Sequence, residues 1–209
     1  MIDEKIIRIK KSPIIAVVRN IDENKVLYVI EALMRGGINN IEITYGSHKN
    51  VSTHLMSTDD ILIAAGTALT IEQLNEAIDA GAEFIFSPVY NKKVVKETLE
   101  NKLISIPGCF TPTEIYEAYL LGAQMIKVFP ANILGPSFIK DILAPMPFLN
   151  LIPTGGINKD NLTNYIKSGA IAVGMGSSLL NKQIIDEENY SKLTELATKI
   201  SELAKIEKQ

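Results

Sequence analysis

The sequence predicts an α/β protein that folds as a single (β/α)8 barrel, or TIM barrel, over residues 1–209. Three observations support this prediction. Short apolar runs rich in β-branched residues recur along the chain, segments with helical spacing separate them, and four of these segments end in a glycine followed by another small residue. The apolar runs lack polar alternation, which is typical of parallel strands covered on both faces.

Eight of the apolar runs predict strands. They lie at residues 14–18, 40–44, 61–65, 84–86, 103–106, 125–128, 150–152 and 171–174. No linker, charge block or shift in composition divides the chain between them. Eight strand–helix alternations favour a closed barrel over an open, doubly wound sheet.

Local signals mark where several helices begin. Thr111-Pro112-Thr113-Glu114 combines a capping threonine, a proline at the first helical position and a glutamate that completes a capping box. Thr70 with Gln73 predicts a similar start. Two more starts are predicted at Gly135-Pro136 and at Asn158, and flanking helices are predicted over residues 3–10 and 187–207.

Small-residue pairs mark the ends of four helices. The pairs are Gly36-Gly37, Gly81-Ala82, Gly122-Ala123 and Gly169-Ala170. A glycine at such a place predicts a left-handed helix end, after which the chain turns directly into the next strand.

Composition excludes several classes of function. A net charge of −3 and a pI of about 5.5 leave no basic surface for nucleic acid. The apolar runs are too short to span a membrane, and the N-terminus does not resemble a signal peptide. The single cysteine, Cys109, fits a reducing cytoplasm and is interpreted as a free loop thiol. We therefore expect a cytoplasmic enzyme or ligand-binding protein.

No cofactor or metal is expected. The chain lacks a GxGxxG or P-loop pattern, which argues against a nucleotide cofactor. His48 and His54 have no cysteine or carboxylate at ligand spacing, so no metal site is predicted.

A lysine and a glutamate lie within strands that are otherwise apolar. Lys127 lies in Met125-Ile126-Lys127-Val128, and Glu42 is flanked by isoleucines. A buried lysine must be paired or neutral, and the neutral amine is the form that attacks a carbonyl to make a Schiff base. If both side chains point into the barrel, Glu42 can meet Lys127 and act as general acid and base. A purely structural ion pair is the alternative, and both interpretations require proximity.

Further candidates lie at the carboxyl ends of the predicted strands, where active sites of barrel enzymes are built. Arg19, Thr67, Pro88, Phe129 and Thr154 are the predicted substrate-binding residues. Glycine clusters follow the seventh and eighth predicted strands, and each is predicted to open a helix. Glycines in such loops leave backbone N–H groups free to bind an anion. We therefore predict phosphate binding at Gly155, Gly156, Gly176 and Ser177.

At these residues the sequence resembles the 2-keto-3-deoxy-6-phosphogluconate (KDPG)/4-hydroxy-2-oxoglutarate (KHG) aldolases over nearly its whole length. The motifs are GGINNIEITYG, AAGTALT, FSPVYN, SIPGCFTPTE, IKVFPANILGP, IPTGGIN and VGMGSSLL. The resemblance implies a trimeric class I aldolase, an aldehyde-lyase with a (β/α)8 fold. It implies cleavage of a 2-keto-3-deoxy-6-phospho sugar acid to pyruvate and glyceraldehyde 3-phosphate. It also implies that Lys127 is the Schiff-base lysine, that Glu42 is the acid/base and that Thr67 binds substrate.

One position departs from the best-known branch of that family. The arginine that helps hold the pyruvate carboxylate there is replaced by Gly46, and Arg19 is expected to supply the guanidinium instead. The related 6-phospho-2-dehydro-3-deoxygalactonate aldolases share this arrangement, and a stretch of theirs resembles residues 134–140. The resemblance therefore implies a substrate of the gluconate or the galactonate type.

Two other functions remain open from the sequence alone. A sugar-phosphate epimerase on the same fold would share the phosphate loops, and a non-catalytic sugar-phosphate binding protein would bind without turnover. Neither would form a Schiff base with pyruvate.

Overall fold

Parallel strands alternate with helices along the chain. The structure is a computed structural model that describes residues 2–44 and 61–206. Its described strands are β1 Ile14–Val18, β2 Asn40–Thr44, β3 Leu62–Gly66, β4 Phe84–Phe86, β5 Ile104–Ile106, β6 Gly108–Cys109, β7 Ile126–Val128, β8 Leu151–Pro153 and β9 Val173–Met175. Its described helices are α1 Ile2–Lys11, α2 Glu23–Arg35, α3 Ile71–Asp79, α4 Lys92–Glu100, α5 Pro112–Leu120, α6 Ala131–Leu143, α7 Leu162–Lys167, α8 Lys182–Asp186 and α9 Tyr190–Ile206.

The strands form a parallel sheet that curls into a half-barrel. Six strands pair in the order β5-β4-β3-β2-β1-β9, and three more pair in the order β6-β7-β8. An isolated parallel bridge joins Thr154, directly after β8, to Gly174 in β9. The predicted α/β alternation of buried parallel strands is confirmed, whereas full closure into eight strands stays a prediction.

One predicted strand is split in two by a proline. The prediction ended at residue 106, but the chain continues past Pro107 as β6. Proline has no N–H, so it interrupts the ladder. On one side Ser87 N donates to Ile106 O at 3.2 Å, and on the other Lys127 N donates to Pro107 O at 2.9 Å. The same run of chain therefore contacts β4 before the proline and β7 after it.

The capping signals are largely confirmed. The complete capping box of Thr111 and Glu114 is present at the start of α5. At α3 the Thr70 hydroxyl accepts from Gln73 N, but the Gln73 side chain accepts from Leu69 N at 2.7 Å instead of closing the box on Thr70. The predicted left-handed helix ends are confirmed at Gly37, Gly81, Gly122 and Gly169.

Two predicted helix starts are wrong, at Asn158 and at residue 187. The helix expected at Asn158 begins at Leu162, because Asn158 and Asn161 side chains accept from nearby backbone N–H groups and hold a turn. The closing helix begins at Tyr190, because Glu188 has a positive φ of 54° that separates α8 from α9. By contrast, the start predicted at Gly135-Pro136 is confirmed, because Gly135 has a non-helical backbone that kinks α6 and a second helical stretch begins directly after it. The helix expected after the second strand lies outside the described residues.

The core positions the site by closing one end of the sheet. Ile9 of α1 packs with inward-facing side chains such as Ile15, Leu62, Phe84 and Met125. Helix α1 thus covers the amino-terminal ends of the strands. In the described ranges, no helix is both long enough and apolar enough to cross a bilayer.

Candidate active site

A lysine and a glutamate from opposite parts of the sheet meet in the interior. Lys127 Nζ lies 3.4 Å from both Oε1 and Oε2 of Glu42. Their side chains are only 6% and 2% exposed. Lys127 is held by the middle of β7 and Glu42 by the middle of β2, so both positions are set by strand pairing. The predicted proximity of the two groups is confirmed.

Aromatic rings and a glycine shape the space around the pair. The centroids of the Phe86 and Phe129 rings each lie 5.5 Å from Lys127 Nζ. These faces attract a cation and shield the amine from bulk water. A Cβ at Gly66 would overlap the Glu42 carboxylate, so glycine is required there for the carboxylate to reach the lysine.

A cavity of about 700 Å³ opens above the pair at the carboxyl ends of the strands. All of the substrate- and phosphate-binding residues predicted from the sequence line it, together with the lysine and the glutamate. They are Arg19, Glu42, Thr67, Pro88, Lys127, Phe129, Thr154, Gly155, Gly156, Gly176 and Ser177. This volume is within the range of small-molecule sites. The structure therefore brings every predicted site residue to one cavity.

The two glycine loops form one wall of the cavity. Gly155 and Gly156 have positive φ values of 100° and 71°, and a Cβ at Gly156 would overlap Asn132. The Ser178 hydroxyl donates to Ile157 O and ties the two loops together. Neither loop leads directly into a helix, contrary to the sequence prediction, because α7 and α8 begin several residues later. Any anion held here would be bound by loop N–H groups and hydroxyls.

Charged residues at the cavity mouth were missed by the sequence analysis. Lys25 Nζ lies 3.2 Å from Glu188 Oε1, and this hydrogen bond raises the pKa of Lys25. Lys182 Nζ lies 2.6 Å from Asp186 Oδ2, one helical turn along. The pair in α8 has the i,i+4 spacing that predicts a surface ion pair. Lys25, Lys182 and Asp186 line the cavity, and only the tertiary structure brings them there.

A threonine hydroxyl in the wall was also missed as a site residue. Thr44 is 8% exposed and lines the cavity, two residues beyond Glu42 on the same strand. Its Oγ1 has no hydrogen-bond partner among the described residues. Its place on the inward face follows from the same two-residue period as Glu42.

Cys109 is buried in β6 and takes no part in the cavity wall. Burial, with a smaller contribution from the charge of Glu114, raises the pKa of the Cys109 thiol to about 12. The thiol is therefore protonated at neutral pH and is a poor nucleophile. Residues 2–44 and 61–206 contain no group of three His, Cys, Asp or Glu side chains that could hold a metal ion. Gly46, His48 and His54 lie outside the described residues.

Comparison with known proteins bears directly on this site. The family model described as KDPG and KHG aldolase matches residues 4–196. The chain is 32% identical over 198 residues to a 2-dehydro-3-deoxy-phosphogluconate aldolase of Treponema pallidum, and the match covers 93% of each chain. It is 35% identical over 172 residues to a probable 2-dehydro-3-deoxy-6-phosphogalactonate aldolase of Rhizobium meliloti, and this match covers 80% of this chain and 81% of the relative.

The chain belongs to the KDPG/KHG aldolase family.

A solved structure of a KDPG aldolase supports the same conclusion. The Legionella pneumophila enzyme, with pyruvate captured at low pH as a covalent carbinolamine intermediate, has a TM-score of 0.84 and 31% identity. The match covers 91% of this chain and 95% of that one. The family resemblance predicted from the motifs is confirmed, and the chain is an aldolase and hence a lyase.

Proposed function

We propose that this aldolase cleaves a 2-keto-3-deoxy-6-phospho sugar acid, of the gluconate or galactonate type, to pyruvate and glyceraldehyde 3-phosphate. The observation that carries the proposal is the buried contact between Lys127 Nζ and the Glu42 carboxylate, at the base of a cavity that ends in two glycine loops. An amine, a proton acceptor and an anion site are what class I cleavage of such a substrate requires.

Lys127 is the proposed nucleophile. Its proton passes to Glu42, 3.4 Å away, and the neutral amine attacks the C2 ketone of the substrate. The resulting carbinolamine takes up a proton on its hydroxyl and loses water, which leaves a protonated iminium. The rings of Phe86 and Phe129 face the nitrogen on which this positive charge develops.

Glu42 is the proposed general acid and base. As a carboxylate it removes the proton of the C4 hydroxyl, directly or through a water molecule. The C3–C4 bond then breaks, its electron pair flows into the iminium to form an enamine, and glyceraldehyde 3-phosphate leaves. The same proton is returned to C3, and water hydrolyses the new iminium to release pyruvate and the free lysine.

The remaining cavity residues are assigned to binding. Arg19 and Thr67 hold the substrate carboxylate, since a guanidinium fork and a hydroxyl both donate to it. Thr154, Pro88 and Phe129 line the path between the two ends of the substrate. The phosphate is bound at the far wall by backbone N–H groups and a hydroxyl, from Gly155, Gly156, Gly176 and Ser177.

We also propose that the chain forms a single closed (β/α)8 domain and assembles as a homotrimer in the cytoplasm. The run through Pro107 and the bridge from Thr154 to Gly174 support closure, because each connects the two groups of strands. Loops at the carboxyl ends of the strands expose large apolar side chains, which supports association with further copies. These are Leu69, Val89 and Phe110, which are 38%, 48% and 40% exposed; Ile133, in the first turn of α6, is 69% exposed.

Borohydride trapping tests the proposed chemistry. The protein is incubated with pyruvate and sodium borohydride, and the mass of the intact protein and of its peptides is measured. A reduced pyruvyl adduct on Lys127 is expected, with none on Lys127→Met. Lys182→Met is the matched control, because this lysine lines the same cavity but lies 87% exposed in a surface ion pair. If the folded wild-type protein forms no adduct, the Schiff-base mechanism is wrong.

A further inference from the structure

The hydroxyl of Thr44 is a buried polar group without a partner among the residues that the structure describes. Thr44 is the last residue of β2 and is 8% exposed. Its Oγ1 has no hydrogen-bond partner among the described residues, although it lines the cavity. Buried hydroxyls in folded proteins are almost always hydrogen-bonded, so an unpartnered one at a ligand site is a candidate for binding the ligand.

Strand order places Thr44 between the two proposed carboxylate ligands. β2 pairs with β1 on one side and with β3 on the other. Arg19 directly follows the end of β1, and Thr67 directly follows the end of β3. Val18 pairs with Ile43, and Thr44 pairs with Gly66, so the three residues lie side by side at the carboxyl edge.

We propose that the Thr44 hydroxyl is a third ligand of the substrate carboxylate and donates a hydrogen bond to it between Arg19 and Thr67. This inference rests on the proposed function. The carboxylate carbon is bonded directly to C2, the atom that Lys127 attacks. Lys127 Nζ touches Glu42, and Thr44 is the next inward-facing residue along β2 toward the mouth. A carboxylate has about four acceptor sites, so an arginine fork leaves room for two hydroxyl donors.

Two kinds of variant test this role. Thr44→Val keeps the shape of the side chain and removes the hydroxyl, while Thr44→Ser keeps the hydroxyl. The rate of borohydride trapping is measured against pyruvate concentration. Because hydrogen bonds to charged groups are the stronger ones, we expect Thr44→Val to raise the half-saturating pyruvate concentration by about 10- to 100-fold. The trapping rate at saturation should stay within about twofold, and Thr44→Ser should resemble the wild type.

Thermal unfolding without ligand separates this role from a structural one. Because the Thr44 hydroxyl makes no hydrogen bond within the described part of the chain, its removal breaks none there, and the Tm of Thr44→Val should equal or exceed that of the wild type. A structural role would instead lower the Tm and leave the half-saturating pyruvate concentration unchanged, which would overturn the assignment. Thr44→Ala is the second hydroxyl-free variant, to be measured in the same way if the valine variant does not fold.

A water-binding role is distinguished by proton exchange. Class I chemistry exchanges the methyl protons of pyruvate with deuterated water through the enamine. If Thr44→Val slows this exchange at saturating pyruvate but leaves half-saturation unchanged, Thr44 orients a water molecule for Glu42 and the carboxylate assignment is wrong. If the wild-type protein forms no adduct, the proposed function fails as well; an adduct with an unaffected Thr44→Val variant overturns only the role of Thr44.

Discussion

Replacing one charge of the buried Lys127–Glu42 pair should destabilise the fold more than replacing both. Lys127→Met keeps a flexible side chain of similar length but leaves the Glu42 carboxylate without its cation. Removing one partner of a buried ion pair costs about 3–5 kcal/mol. The pair is 6% and 2% exposed, yet water in the adjoining cavity of about 700 Å³ can hydrate the carboxylate. We therefore expect the lower end, about 3 kcal/mol.

The second variant removes both charges. In Lys127→Met/Glu42→Leu two apolar side chains of similar volume replace the pair, and such replacements are often neutral or stabilising. We expect its free energy of unfolding to lie within about 1 kcal/mol of the wild type. Neither variant should turn over substrate, because the nucleophile is absent from both.

Urea and thermal unfolding measure both effects. For a protein of this size, about 1 kcal/mol corresponds to about 2–4 °C in Tm, so the single variant should melt about 6–12 °C below the wild type. Lys93→Met, at an exposed lysine of α4, is the control and should melt within about 1 °C of the wild type. Equal Tm values for the single variant and the wild type, or no recovery in the double variant, would refute a buried ion pair.

Four further outcomes are expected. Glu42→Gln should lower kcat by about two to four decades, as loss of a general acid/base does, and an unchanged kcat would make Glu42 structural. Arg19→Ala should raise the pyruvate KM for condensation by about 10- to 100-fold. Arg19→Lys should be intermediate, because it keeps the charge but not the guanidinium fork. Equal KM values would show that other donors bind the carboxylate. Gly66→Ala adds a Cβ that overlaps the Glu42 carboxylate, so kcat should fall by about 100-fold, and a fully active variant would contradict the observed packing. Hydrogen bonds from the backbone N–H groups of Phe110 and Thr111 lower the pKa of Glu114 below its usual value of 4.5. The Glu114 charge therefore contributes stability above pH 4.5, and this contribution is lost as the pH falls through the folded-state pKa. The difference in unfolding free energy between wild type and Glu114→Gln should therefore shrink between pH 7 and pH 3, and a constant difference would show that the Glu114 charge is not involved.

Much of the site was predictable because its residues lie at alternate positions of the strands or directly after the strand ends. A lysine and a glutamate inside apolar strands have to point inward to a partner, since an unpaired buried charge is too costly. The carboxyl ends of parallel strands lie at one edge, so Arg19, Thr67 and Thr154 were predicted to converge. The cavity includes all of them. The family motifs agreed with this pattern.

The boundaries that were predicted wrongly depend on interactions that no local pattern displays. Asn158 has the composition of a helix start, but its side chain and that of Asn161 satisfy backbone donors in a turn. Glu188 adopts a positive φ, which the presence of a glutamate in the sequence does not predict. Pro107 was a visible strand breaker, yet only the pairing of the chain on both sides of it showed that the strand resumes.

The sequence by itself determined the alternation of strands and helices and the membership of the family, and it supplied the residues proposed to react. Hydrophobic period, capping residues and motif order are properties of the sequence itself, and they do not depend on which residues pack together. The tertiary structure alone decided which groups touch and which lack a partner. The 3.4 Å contact of Lys127 with Glu42 spans 85 residues, and the Thr44 hydroxyl lacks a hydrogen-bond partner within residues 2–44 and 61–206. Distance and hydrogen-bond satisfaction belong to the packed molecule, and these properties led to the proposed role of Thr44.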